Sequence, residues 1–105
     1  ESFVYITCAT EAEAEAIGTV LVERRLAACV NILPGMRSLY WWRGKVERGE
    51  ETVLIAKTRR ELVDELTEAV KAVHGYEVPC VVALDIAGGN GDFLDWIRAE
   101  TRPGE

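Results

Sequence analysis

Hydrophobic and polar positions change their spacing several times along the chain, and each change predicts the boundary of an element. Residues 3–9 form a continuous run of β-branched, aromatic and small residues, which is typical of a central strand that is apolar on both faces. Thr10 then predicts a helix N-cap, and Glu13 three residues later completes a capping box. The helix is expected to run to about Arg25. Its buried face is predicted to comprise Ala16, Ile17, Val20 and Leu21.

The segment 21–35 joins the tail of this helix directly to a second apolar strand. Residues 27–33 abandon the helical spacing, and Pro34 with Gly35 is expected to end the strand. Because no Gly-rich linker separates them, helix and strand are predicted to pack closely on one core.

An aromatic segment follows at residues 36–47, and it predicts the first arm of a hairpin. Its three consecutive aromatic residues, whose side chains alternate between faces at strand spacing, are Tyr40, Trp41 and Trp42. Residues 47–50 are a turn candidate, and residues 52–57 are expected to be the second arm. Two alternatives stay open here, because strand 27–33 and the aromatic segment are either separate or two halves of one long, bent strand.

The second half of the chain repeats the pattern of helix and strand. Thr58 is predicted to cap a second helix, with Glu61 three residues later, and Gly75 occupies the position of a left-handed C-terminal cap. The core stripe of this helix is predicted to be Leu62, Leu66, Ala69, Val70 and Val73. Residues 76–86 are expected to be mostly strand.

A short helix is predicted to close the domain. Asn90 is its expected cap, and residues 101–105 are expected to form a frayed tail. The apolar face of this helix is predicted to be Phe93, Trp96 and Ile97. The order βαββαβ plus one helix, within a single domain 1–105, predicts an α+β, ferredoxin-like fold with an antiparallel four-stranded sheet and two helices on one face.

The other face of such a sheet lacks a cover, because one short helix cannot span it. The aromatic residues that would then lie in water are Tyr5, Tyr40, Trp41, Trp42 and Tyr76. A large exposed apolar area is typical of an interaction surface, so we expect a homo-oligomer.

Composition and charge exclude several classes of protein. A net charge of −6 over 105 residues argues against a nucleic-acid partner, since phosphate binding needs clustered Lys and Arg. No apolar run approaches the roughly 20 residues that span a bilayer, and no secretory signal pattern opens the chain, so we expect a cytoplasmic protein without a membrane partner. The three cysteines have no metal-finger spacing and fit buried thiols in a reducing compartment.

His74 is the only histidine and the first candidate for chemistry. It lies near the end of the second helix, where a charged imidazole interacts favourably with the helix dipole. An imidazole beside Tyr76 and Glu77 also suits a metal ligand or an acid–base group. No nucleophile elbow, phosphate-binding loop, zinc-protease helix or dinucleotide fingerprint is present, so the sequence predicts no enzyme.

Five blocks, in order along nearly the whole chain, resemble the CutA divalent-cation-tolerance family. They are LVERRLAACVNILPG (21–35), SLYWWRGKVE (38–47), EETVLIAKT (50–58), HGYEVP (74–79) and GN-x-x-FLDWI (89–97). The resemblance implies a ferredoxin-like subunit in a tight homotrimer, a role in tolerance to copper and other divalent cations, and no established enzymatic activity.

The metal site that the resemblance implies is matched in part. Some bacterial members carry a cysteine near the end of strand one and two adjacent histidines before the Tyr motif; here Thr7 and Cys8 occupy the strand region, and Val73 precedes His74. Where relatives have Val-Pro-Glu, Cys80 adds a thiol. Thiolate and imidazole suit copper(I) or zinc. The candidate metal ligands are His74, Cys29 from the AAC block, Glu51 and Cys80.

Other classes of function remain as alternatives. A structural or adaptor trimer would hold a partner or small molecule between subunits, near residues 40–42, without stoichiometric metal. A small enzyme of the acylphosphatase type would need a Gly-rich, Arg-containing anion loop, which is missing. An RNA-recognition module shares the topology, but its aromatic and basic sheet signature is missing too.

Overall fold

A computed structural model describes residues 1–103 and confirms the predicted fold. The elements are β1 (Ser2–Cys8), α1 (Glu11–Glu23), β2 (Cys29–Trp42), β3 (Lys45–Thr58), α2 (Val63–Val73), β4 (Val81–Asp85) and α3 (Gly91–Glu100). A single 3₁₀ turn, Arg60–Leu62, leads into α2. The four strands form one antiparallel sheet in the order β2-β3-β1-β4.

The core lies between one face of this sheet and helices α1 and α2. Alternate residues of the central strand β1 face the helices, and Val4, Ile6 and Cys8 are fully buried there. α1 presents Ala14, Ile17, Gly18 and Leu21 to the core, whereas the predicted Ala16 is exposed and Val20 is only half-buried. The buried face of α1 therefore includes the small residues at positions 14 and 18 and is rotated about the helix axis relative to the predicted face. In the second helical segment, Leu62, Leu66, Ala69 and Val70 are buried as predicted, but Val73 is exposed.

Gly18 explains how closely α1 approaches the sheet. A Cβ atom at this position would lie 2.9 Å from Cγ2 of Val30 on β2 and 3.4 Å from Cδ1 of Leu54 on β3. A methyl group would overlap Val30 at that distance, so the packing needs glycine. The prediction that this helix and strand pack on one core is confirmed.

β2 and β3 form one long hairpin, which settles the alternatives left open by the sequence. The register shifts between Leu33 and Met36, and Gly35 has φ +81°, so Pro34 and Gly35 make a bulge instead of ending the strand. The long, bent strand is therefore the correct alternative.

The hairpin turn lies at Arg43 and Gly44, both with positive φ (50° and 82°), as in a two-residue turn that matches strand twist. The turn predicted at residues 47–50 was wrong, because Glu47 pairs with Tyr40 and Glu50 pairs with Arg37.

Two predicted caps in the second half of the chain were also wrong. Thr58 is still paired with Ser2 in the sheet, and its buried hydroxyl donates to the carbonyl oxygen of Leu26 at 2.6 Å, so it does not cap a helix. Gly75 does not have positive φ, and the chain leaves α2 in an extended conformation at His74. The last strand begins only at Val81, after an irregular segment 74–80.

The terminal helix and the residues after it are tied to the domain. Asn90 caps α3 as predicted, because its Oδ1 accepts the N–H of Asp92 at 3.0 Å. On the predicted apolar face Ile97 is fully buried, while Phe93 and Trp96 stack on each other and stay partly exposed. The frayed tail was wrong for its first residues, since Thr101 is buried and Arg102 donates its N–H to the carbonyl oxygen of Arg25. Residues 104–105 of that tail lie outside the described residues.

The face of the sheet opposite the helices exposes apolar side chains, as expected from the sequence. On its strands Leu33, Val82 and Leu84 are each about half exposed, and Tyr40 and Trp42 of the hairpin arm, which face the same side by register, are 46% and 38% exposed. In the described part of the chain, no helix has the length and apolar character that crossing a membrane requires.

Candidate functional site

His74 is fixed where the end of α2 meets the end of β1. Its Nε2 donates to the carbonyl oxygen of Thr7 at 2.7 Å, and its Nδ1 accepts the backbone N–H of Tyr76 at 3.0 Å. A carbonyl can only accept and an N–H can only donate, so these contacts define the tautomer with the proton on Nε2. Both ring nitrogens are thus engaged by backbone groups.

Glu13 clamps the same region from the first turn of α1. Thr10 caps this helix as predicted, accepting the N–H of Glu13 at 3.1 Å. The Glu13 carboxylate accepts the N–H of Ala9 through Oε1 at 2.9 Å and the N–H of Gly75 through Oε2 at 3.0 Å. A Cβ atom on Gly75 would lie 2.8 Å from that Oε2, so glycine lets the backbone come close enough to donate.

Three potential metal donors, one of them the Glu13 carboxylate, lie close together in this region. Ligand atoms of Cys8, Glu13 and His74 all lie within 4.8 Å of one another. Burial, and then the negative charges of Glu13 and Glu51, raise the pKa of the Cys8 thiol from 9.0 to about 11. The thiol is therefore protonated at neutral pH, and a cation that binds sulfur there must compete with this proton.

Tyr76 connects this donor cluster to a neighbouring cleft. Its ring lies against the imidazole of His74, with centroids 4.7 Å apart, and its hydroxyl donates to Oε2 of Glu51 at 2.7 Å. The pKa of Tyr76 is raised by burial first and by the hydrogen bond and charge of Glu51 next. The cleft has a volume of about 540 Å³. Its walls include Tyr40, Trp42, Tyr76, Glu51, Glu77 and Cys80.

The structure brings three of the four predicted ligands to this end of the sheet. Glu51 and Cys80 line the cleft, and His74 packs on the tyrosine that binds Glu51. Cys29 lies towards the other end of the sheet. It pairs with Lys57 on β3, and Lys57 pairs with Phe3 near the start of β1. Along β1 that is four residues from Thr7, or about 13 Å at the usual strand rise.

Cys8 and Glu13 were not among the predicted ligands. Cys8 was interpreted as one of three buried small residues, which is correct for Cys8, whereas Cys29 and Cys80 are only partly buried. Glu13 was interpreted as completing a capping box, but its carboxylate accepts the N–H of Ala9 and not that of the cap residue Thr10. The one signal in the sequence was adjacency, since a strand that ends at residue 8 and a helix that begins at residue 11 must place both side chains near the same turn.

Comparison with known proteins agrees with the resemblance found in the sequence. The family described as CutA1 divalent ion tolerance protein matches residues 2–100. A divalent-cation tolerance protein CutA from Thermus thermophilus is 50% identical over 101 residues, which cover 96% of this chain and 98% of the relative. The rice protein CutA 1, named chloroplastic, is 48% identical over 99 residues, and there the match covers 94% of this chain but only 56% of the relative.

Solved structures match equally well. A divalent cation tolerance protein (Cut A1) structure from Thermus thermophilus superposes with a TM-score of 0.93 at 48% identity, covering 96% of this chain and 98% of the other. An Archaeoglobus fulgidus structure, described as a periplasmic divalent cation tolerance protein, gives a TM-score of 0.91 at 46% identity, with 94% and 96% covered. The chain therefore belongs to the CutA1 divalent ion tolerance protein family.

Proposed function

We propose that this protein is a homotrimeric, non-catalytic metal-binding protein of the divalent-cation-tolerance type, and that copper or another divalent cation binds beside His74. The observation that carries the proposal is the convergence of Cys8, Glu13 and His74, whose ligand atoms lie within 4.8 Å of one another. Relatives at about half identity are named divalent-cation tolerance proteins, which supports the same conclusion.

The donor set fits a soft or borderline cation better than magnesium or calcium. A thiolate and an imidazole suit copper(I) and zinc, whereas magnesium and calcium prefer oxygen ligands alone. Glu13 and Glu51 add negative charge close to Cys8, and both raise its pKa. A cation that replaces the thiol proton relieves this repulsion, so its binding is expected to release a proton and to strengthen as the pH rises.

His74 binds an ion only if one of its backbone partners gives way. Its two ring nitrogens are engaged by the Thr7 carbonyl and the Tyr76 N–H. Tyr76 belongs to the irregular segment 74–80, whose backbone lies outside the ladder of β4. We therefore expect metal binding to shift this segment, and with it Cys80 and the Tyr76 contact to Glu51.

The remaining sequence-predicted ligands take different places in this proposal. Glu51 and Cys80 lie next to the donor cluster and are proposed as supporting ligands once the segment shifts. Cys29 lies far from His74 along the sheet, so any ion that it holds is a separate one.

The exposed face of the sheet supports the assembly of several copies of the chain in this proposal. Half-exposed Leu33, Val82 and Leu84 lie on the side that the helices leave uncovered. Contact between copies of the chain would remove this apolar area from water, at about 25 cal/mol for each Å² buried. We propose a cytoplasmic location for this chain, although the rice relative is named chloroplastic and the Archaeoglobus structure is described as periplasmic.

A calorimetric titration tests the metal-binding function. Chelator-stripped, reduced protein is titrated in turn with copper(I), copper(II) and zinc. Saturation at a whole number of ions per chain or per trimer is the expected result. Weak heats that do not saturate would contradict the proposal and favour the adaptor alternative, in which the acidic protein only collects cations at its surface.

A further inference from the structure

Two of the three side chains in the donor cluster already hold successive backbone N–H groups. Oε2 of Glu13 accepts the N–H of Gly75 at 3.0 Å, and Nδ1 of His74 accepts the N–H of Tyr76 at 3.0 Å. Each N–H carries a partial positive charge and points at an atom that can donate a lone pair to a cation. The start of segment 74–80 therefore competes with a cation for these donor atoms.

A cation at His74 breaks the hydrogen bond of the Tyr76 N–H whichever ring nitrogen it takes. If Nδ1 binds the ion, its lone pair is no longer available to Tyr76. If Nε2 binds the ion, the ring proton has to move to Nδ1, because a neutral imidazole has one N–H and one lone pair. Nδ1 would then present a hydrogen to the N–H of Tyr76, and the Thr7 carbonyl oxygen would lose its donor as well. Both routes release the backbone of Tyr76.

Tyr76 connects the donor cluster with the open face of the sheet, which is the face opposite the helices. Cys8 is buried on the helical side of β1 and pairs with Thr52 of β3. Glu51, one residue before Thr52, therefore faces the other side. The hydroxyl of Tyr76 donates to Oε2 of Glu51 at 2.7 Å. One residue thus contacts His74 through its N–H and Glu51 through its hydroxyl, at the end of the sheet between its two faces.

We propose that a cation in the donor cluster and the Tyr76–Glu51 hydrogen bond oppose each other, so that the open face of the sheet regulates the affinity of the metal site. Contacts that hold Tyr76 on Glu51 lower this affinity, and a bound cation in turn loosens Tyr76 from Glu51, because a coupling between two sites is reciprocal. The proposed assembly buries the open face, so cation binding and the contact between copies become linked. The inference rests on the proposed metal-binding function and adds the regulation of that site.

A pair of Tyr→Phe variants tests the coupling, with copper(I) as the probe in a competitive titration of the reduced protein. Tyr76→Phe removes the hydroxyl that binds Glu51 and keeps the ring, and we expect it to bind copper(I) at least fivefold more tightly than the unaltered protein. The matched control is Tyr5→Phe on the same face, whose hydroxyl donates to Sδ of Met36 at 3.4 Å instead; its affinity should be unchanged. Unchanged or weaker binding by Tyr76→Phe, or an equal gain in both variants, would overturn the proposal.

Amide hydrogen exchange, followed by nuclear magnetic resonance, provides a second measurement on the unaltered protein. The Tyr76 amide is expected to exchange at least tenfold faster once diamagnetic copper(I) saturates the site, because it loses Nδ1 of His74 as its acceptor. The His74 amide is the internal control and should be unchanged, since it donates to the carbonyl oxygen of Val70 within α2. Saturable binding with unchanged exchange at Tyr76 would overturn the coupling alone. Absence of saturable binding would overturn the proposed metal-binding function together with it.

Discussion

His74 donates a hydrogen bond from Nε2 to the carbonyl oxygen of Thr7 at 2.7 Å, and this bond ties the end of α2 to the end of β1. The imidazole is held from its other side by the N–H of Tyr76. The same side chain therefore fixes the backbone of the candidate metal site and is its proposed ligand.

The structural part of this role is measurable without metal. His74→Ala leaves the Thr7 carbonyl and the Tyr76 N–H without their partner, so the free energy of unfolding is expected to fall by about 1–3 kcal/mol. Urea unfolding of the metal-free protein measures this change. The control is Val73→Ala at the neighbouring exposed position, for which we expect a change within about 0.5 kcal/mol. Equal effects of the two substitutions would contradict the structural role of His74.

Gly18→Ala is expected to destabilise the protein although alanine is the better helix former. The added methyl would lie 2.9 Å from Cγ2 of Val30, and such overpacking costs about 1–3 kcal/mol against a gain of about 1 kcal/mol in helix propensity. The comparison is Gly91→Ala at the start of α3, where nothing lies within 4 Å of the new Cβ. That substitution is expected to be neutral or stabilising. Thermal unfolding of both variants checks the contrast, and a stabilising Gly18→Ala would contradict the packing of α1 on β2.

Stability is expected to fall in alkaline solution because of Cys8. Its pKa is raised from 9.0 to about 11, so the folded protein holds the thiol proton more tightly than the unfolded chain does. This contribution is complete below pH 9 and is lost as the pH rises towards 11, by up to about 2 kcal/mol. Urea unfolding between pH 8 and pH 11 measures it. Cys8→Ala should flatten the decline, although Tyr76, whose pKa is raised as well, keeps part of it.

Val4→Ala is the control for this pH dependence. Val4 is fully buried on the same face of β1 as Cys8 and carries no proton, so truncation should lower stability equally at every pH. A decline in Cys8→Ala as steep as that in the unaltered protein would show that the thiol is not its source.

The assembly is tested by placing a charge on the open face of the sheet. Val82, on β4, is half exposed there and lies opposite Tyr5 of β1. Light scattering is expected to give three times the mass of the chain, and Val82→Asp is expected to give a smaller species, because the interface would bury an unpaired carboxylate. Val22→Asp, at an exposed valine of α1 on the helical side, should stay trimeric. A monomeric unaltered protein, or equal dissociation of both variants, would contradict the proposed interface.

Sequence periodicity was sufficient for the order of elements and the fold. Predictions from the sequence failed where a tertiary contact overrode a local sequence signal. Thr58 is of a residue type that often caps helices, but it pairs with Ser2 in the sheet, and its hydroxyl donates a hydrogen bond to the carbonyl oxygen of Leu26. Pro34 and Gly35 have the form of a strand end, but the ladder resumes after a bulge.

The candidate site was predictable only in part, for a similar reason. The sequence indicated His74, Glu51 and Cys80, which lie at one end of the sheet, and also Cys29, which lies away from them. The contribution of Glu13 depends on how segment 74–80 leaves α2, because its carboxylate binds the N–H of Gly75 across the fold. The predicted left-handed cap at Gly75 would have directed the chain differently, so this contact was not visible in the sequence.

The central claim is that one cation binds among Cys8, Glu13 and His74. The most direct measurement is a competitive titration with copper(I) of the reduced protein and of Cys8→Ser, His74→Ala and Cys29→Ser, with circular dichroism to confirm that each is folded. We predict that Cys8→Ser and His74→Ala each lose at least tenfold in affinity while Cys29→Ser, at the far end of the sheet, binds as the unaltered protein does. Unchanged affinity in the first two variants, or a loss confined to Cys29→Ser, would contradict the account.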